Sequence, residues 1–139
     1  MAVKVYEKGV STQLSEEFES TDFDCACQLQ DCTQTFVDEN LVRGLEEMIT
    51  IFPIITITSG FRCKAHNAAT PGSSPNSQHC LGKAADIKSP FGTPHHLLLV
   101  AARIDVFANG GLGLYRSWLH CDVRGHTARW TAPSANVVK

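Results

Sequence analysis

Three residues carry the side-chain types of an open metal site: His79, Asp86 and His120. Imidazole and carboxylate both bind zinc, and three protein groups leave a fourth position for water. His79 and Asp86 lie in "SQHCLGKAADI", on either side of a turn at Gly82, so their side chains can converge although they are distant in an extended chain. His120 belongs to a separate segment, "WLHCDVR", which alternates like a strand. Asp122 follows two residues later and shares a strand face with His120. It could act as general base, point at Arg62, support the site from behind, or be a surface carboxylate.

Singly, each residue has a plainer explanation. A histidine beside an apolar segment is more often a hydrogen-bonded core or surface group than a ligand, and an arginine such as Arg62 readily makes a surface salt bridge. The combination is more specific. Ser77, His79, Gly82, Ala84 and Asp86 fit S-x-H-x-x-G-x-A-x-D, with "ITSGFR" before them and "GLGLYRSWLHCDVRG" after them. On these motifs the chain resembles the M15 family of zinc peptidases that cut bacterial peptidoglycan, the D-Ala-D-Ala carboxypeptidase group, from about residue 14 to residue 130.

That resemblance implies a Hedgehog/DD-peptidase-like zinc fold and one Zn2+ ion held by His79, Asp86 and His120. Arg62, in the family's SG-(Y/F)-R segment, is then a catalytic residue that binds substrate and stabilises the developing oxyanion, and the partner is bacterial peptidoglycan. The closing "HCDVRGHTARW" looks most like the M15 subgroup of phage lytic proteins and cell-wall endopeptidases, which implies lysis as the setting, after release or carriage in a virion. The chain also departs from the family. Many members place a Glu three residues, or a His two residues, before the last ligand, and here those positions are Ser117 and Trp118. This leaves Asp122 as the nearby acid and motivates a second reading, a zinc-holding but inactive wall-binding or structural module of a phage particle. A zinc nucleobase deaminase is excluded, because the H-x-E and P-C-x-x-C segments are absent.

Other polar and aromatic residues have secondary expectations. Ser77 should orient the loop or a ligand through a hydrogen bond, since no adjacent His-Asp pair would make it a nucleophile. His66 and His126 could line a cleft, while His95 and His96 open a helix and should face solvent. Tyr115, Trp118 and Trp130 read as core, although Trp130 could also cover one wall of a peptide groove.

Of six cysteines, Cys25, Cys27 and Cys32 cluster in "CACQLQDC". The cluster lacks the paired C-x-x-C spacing of a zinc ribbon, so reduced thiols or one local disulfide are the plain readings; a structural zinc with Cys63 as fourth ligand is the alternative. Cys80 and Cys121 each follow a candidate histidine ligand. In extended segments they would point behind the metal, either as two buried thiols or as a disulfide.

These residues need elements to hold them. "TFVDENLVRGLEEMITI", residues 35–51, places Phe36, Leu41, Leu45, Met48 and Ile49 at helical spacing, and Pro53 stops it. "IITITSG" and "KAADIK" read as strands, "HNAATPGSSPNS" as an exposed loop, and "TPHHLLLVAARIDVFAN", residues 93–109, as a helix capped by Thr93 with Pro94 in its first turn. Residues 1–34 read as an irregular arm anchored by Phe18 and Phe23, and residues 131–139 as a frayed tail. The expected architecture is α+β, a small antiparallel sheet with packed helices, forming a single domain over residues 1–139.

Composition excludes other classes. A formal charge of -2 leaves no broad basic surface for nucleic acid, and no apolar run reaches the roughly 20 residues of a membrane span. The opening "MAVKVYEKGVSTQLSEEF" has no apolar core of a secretory leader, so the protein is expected to be made in the cytoplasm. A monomer is the expected state.

Overall fold

A computed structural model describes residues 2–133. Among them, two sheets form. Strand β1 (Val3–Glu7) pairs antiparallel with β2 (Gln34–Asp38). The larger sheet contains β3 (Thr56–Ser59), β4 (Ala84–Lys88), β5 (Gly111–Leu114), β6 (Leu119–Asp122) and β7 (Ala128–Thr131), in the order β3-β4-β6-β5-β7. The expected α+β class holds, but this sheet is mixed rather than purely antiparallel, because β7 runs parallel to β5. No helix among the described residues is long and apolar enough to cross a membrane.

The segment expected to be helical from residue 35 divides at Asp38. Gln34–Asp38 is strand, with Thr35 and Val37 buried; the β-branched and aromatic "TFV" suits a pleated surface. Helix α1 (Glu39–Ile49) starts where the Asp38 carboxylate accepts the Asn40 N–H. It buries Leu41, Leu45 and Met48, as the helical spacing predicts, whereas Phe36 lies on the strand.

Helix α2 (Lys64–Ala69) replaces the start of the expected exposed loop, capped by Cys63. Its Asn67 is buried and donates to Ser74 O at 2.8 Å, holding the following loop against the helix. The second predicted helix also breaks, into α3 (Pro94–Ala101) and α4 (Asp105–Ala108), because Ile104 takes an extended backbone with φ −93° and ψ 121°. Leu97, Ala101, Ile104 and Phe107 stay buried across the break and in near-helical phase, so periodicity cannot reveal it. Thr93 caps α3 as expected, and His95 and His96 are exposed.

Within residues 1–34 the expected irregular arm includes β1 and a 3-10 turn, Ser20–Phe23. Phe18 and Phe23 are buried in one core with Val37, Leu45, Ile87 and Leu119, which joins the arm to both sheets. At the other end, Thr131 belongs to β7 rather than to a tail, and residues 134–139 lie outside the described residues.

Candidate active site

Strand β4 places Asp86 between two neighbours: its register partners are Ser59 on β3 and His120 on β6. Directly opposed residues of an antiparallel pair project on one face, so Asp86 and His120 meet by sheet register alone. His79 arrives from a 3-10 turn, Gln78–Leu81, whose N-cap Ser77 accepts the His79 N–H at 3.2 Å. The turn then reverses into β4 at Gly82, where φ is +75° and a Cβ would stand 2.5 Å from Phe36 O. Only glycine meets both demands, which explains its place in the motif.

The two histidines are each held from behind. Gly60 O accepts from His79 Nδ1 at 2.7 Å, which leaves Nε2 free of an outer partner and 3.3 Å from Asp86 Oδ1. Asp122 Oδ2 accepts from His120 Nε2 at 2.7 Å, leaving Nδ1 3.1 Å from the same Asp86 oxygen. His79 Nε2, Asp86 Oδ1 and His120 Nδ1 therefore face one another. All three residues are buried, and the group has the ligand types and mutual distances to hold a metal ion.

Asp86's other oxygen, Oδ2, accepts from Arg62 Nη2 at 3.3 Å. Arg62 is not a surface salt bridge. Its guanidinium is mostly buried, and its other bonds go to Ser59 Oγ (3.1 Å) and Asn67 Oδ1 (3.3 Å). It reaches neither oxygen of Asp122, so the expectation that Asp122 could point at Arg62 fails. Asp122 has no exposed surface and instead accepts from His120, the Gly111 N–H (2.8 Å), and the Arg124 guanidinium (2.7 Å). A Cβ on Gly111 would collide with this carboxylate, so the "NGGLG" segment forms its socket.

Burial alone would raise the pKa of Asp86, but hydrogen bonds from His120 and His79 outweigh it and hold the carboxyl below the usual carboxylate range. Asp122 behaves alike: burial opposes ionisation, while bonds from His120 and Arg124 favour it. Burial would lower the His120 pKa, but the bonds to Asp122 and Asp86 raise it.

An open groove of about 1080 Å3 runs over these residues. Tyr115, Trp118 and Trp130 line it rather than the core. Tyr115 and Trp118 stack at 4.7 Å, and Trp130 packs on His120 at 4.9 Å between ring centroids while its Nε1 donates to Tyr115. Ser77 and His66 also line the groove; His126 is exposed and outside it.

The sequence model of the family described as Peptidase M15 matches residues 16–122, a stretch containing Arg62, His79, Asp86 and His120. The chain belongs to the peptidase M15 family. No curated protein matches it. M15 peptidases are zinc-dependent metallopeptidases, and the donor set of this M15 chain fits such an ion: two histidines with their outer nitrogens occupied, one ionised carboxylate, and a groove beside them.

Sequence reasoning missed two supports of this M15 site, Gly60 O and Arg124: both lie within the quoted segments, but nothing along the chain signals which side chain a backbone carbonyl or a guanidinium will reach. The paired behaviour expected of Cys80 and Cys121 also fails. Neither is disulfide-bonded, and only Cys121 is buried, its Sγ 3.4 Å from Ala85 O. Strand alternation applies to Cys121 on β6, but Cys80 sits on the 3-10 turn, where side chains do not alternate.

Proposed function

We propose that this M15 peptidase is a zinc-dependent hydrolase of a peptide bond in bacterial peptidoglycan, within a stem peptide or cross-link. The observation that carries the reading is the convergence of His79 Nε2, Asp86 Oδ1 and His120 Nδ1 on one groove beside Arg62. Zinc held by His79, Asp86 and His120 would supply Lewis acidity, polarising a carbonyl and acidifying water.

The chain's own residues do the rest. Gly60 O and Asp122 fix the ring orientations and tautomers of the two histidines, so each offers a lone pair inward. Asp122 acts as a positioning residue, because its oxygens are occupied by His120, Arg124 and Gly111 and it has no exposed surface. Arg62, oriented by Ser59 and Asn67, keeps further N–H groups for a carbonyl oxygen that gains negative charge. Ser77 holds the turn that carries His79, and Trp130 forms a wall for the substrate.

The groove chemistry suits an anionic peptide. Arg62, Lys88 and Arg124 line it, and Asp86 is its one carboxylate among the described residues. Stem peptides carry free carboxylates that such a wall would attract. The likeness of "HCDVRGHTARW" to phage lytic M15 proteins supports cell-wall lysis as the setting.

Purified peptidoglycan treated with metal-loaded protein should release fragments with new stem-peptide termini, identified by mass spectrometry, and His79→Ala should release none. A second reading, an inactive wall-binding module, draws on Ser117 and Trp118 at the positions where relatives keep an acid or histidine. Stoichiometric zinc without cleavage of several wall types would decide for it.

A further inference from the structure

The four cysteines of the arm and the Arg62 loop form a second cluster. Cys25, Cys27, Cys32 and Cys63 have sulfurs all within 4.8 Å of one another, and none is in a disulfide. Cys63 Sγ lies 3.8 Å from Cys25 Sγ and 3.8 Å from Cys27 Sγ. Four sulfurs each about 2.3 Å from a tetrahedral centre stand about 3.8 Å apart, the edge of a zinc tetrathiolate. The absence of C-x-x-C spacing is not an obstacle, because Cys63 enters from the N-cap of α2 and completes the set.

The surroundings also suit a tetrathiolate, which carries net negative charge around a divalent ion. The Cys63 N–H points at Cys25 Sγ and the His66 N–H at Cys63 Sγ, both at 3.4 Å. Lys8 Nζ lies 3.5 Å from Cys27 Sγ and 3.7 Å from Cys32 Sγ, placing a cation beside them. Outer N–H groups and a nearby cation orient and stabilise metal-bound sulfur.

We propose that Cys25, Cys27, Cys32 and Cys63 bind a structural zinc ion that clamps the N-terminal arm to the segment bearing Arg62. All four positions are protein ligands, so this site is closed, unlike the groove site. Its place gives it a role. Cys63 follows Arg62, Ala26 lines the groove between Cys25 and Cys27, and the Phe61 N–H donates to Phe23 O at 2.8 Å across the same junction. The ion would fix one groove wall without touching substrate.

The test is zinc content by elemental mass spectrometry of full-length protein, purified under reducing conditions and supplied with zinc. The wild type should hold two ions per chain, and His79→Ala one. Asp86→Asn, which keeps side-chain volume, serves as a second variant should His79→Ala not fold. In these variants a mercurial thiol reagent should release the remaining zinc as four thiols react, and cobalt loading should give sulfur-to-cobalt charge-transfer absorption. A wild type with one ion and a His79→Ala protein with none would overturn the proposal. One ion in both, released with four thiols, would uphold it while removing the groove metal instead, so the two readings fail separately.

Discussion

His120 Nε2 stands 2.7 Å from Asp122 Oδ2, and that carboxylate has no surface exposed to solvent. The pair lies two residues apart on one strand face, with Arg124 closing the far side of the acid. It links the buried sheet to the groove, since the same ring presents Nδ1 to Asp86.

Asp122→Asn should therefore weaken zinc binding by about 10- to 100-fold, measured by competition with a chelator, because the His120 ring loses its anionic anchor. Metal-free stability should fall by on the order of 3 kcal/mol near neutral pH, since Arg124 loses a buried charge partner and His120 a charged hydrogen-bond acceptor. The pH sign follows from the depressed folded pKa of Asp122. Its stabilisation is present above the unfolded value of about 3.9 and is lost as pH falls through the folded value. Urea midpoints of wild type and variant should thus converge on acidification.

Arg62→Ala should keep zinc while lowering kcat by about 100-fold or more, the usual cost of losing an oxyanion donor. Arg62→Lys should recover little, because a single ammonium cannot span Ser59, Asn67 and Asp86 as the guanidinium does. Zinc content alongside kcat separates this outcome from loss of the site.

Gly82→Ala should destabilise the fold by about 3 kcal/mol, combining positive-φ strain with a clash against the Phe36 carbonyl. Thermal unfolding reads the loss. Gly9→Ala is the control: its φ is +84° but nothing lies within 4 Å of the added carbon, so it should cost less.

Trp130→Ala should raise KM for peptidoglycan fragments by about tenfold, near 1.4 kcal/mol of binding, with a smaller change in kcat. The ring lines the groove and covers His120 and Arg124, with Arg124 Cζ 5.3 Å from its centroid. Steady-state kinetics on a soluble muropeptide give the split.

Much of the site was legible because its chemistry is local. The spacing from Ser77 to Asp86 encodes a cap, a ligand, a reversal and a strand, all set by short-range geometry. Leu41, Leu45 and Met48 declared α1 by period, and Phe18 and Phe23 declared their burial by size and apolarity. Element boundaries were less legible. Apolar residues keep one phase across Ile104, and Thr35 to Val37 suit either a helix start or a strand until β1 pairs with them.

The sequence by itself determined the residue types that could hold a metal, the α+β class, and the family likeness carried by three ordered segments. Tertiary structure alone decided which partners complete those residues. Asp86 meets His120 through strand register, Asp122 turns to Arg124 rather than Arg62, and Cys63 joins three cysteines from the arm. Local preference is read along the chain, but a hydrogen bond or a ligand set is fixed by distance in space, which only the packed fold supplies.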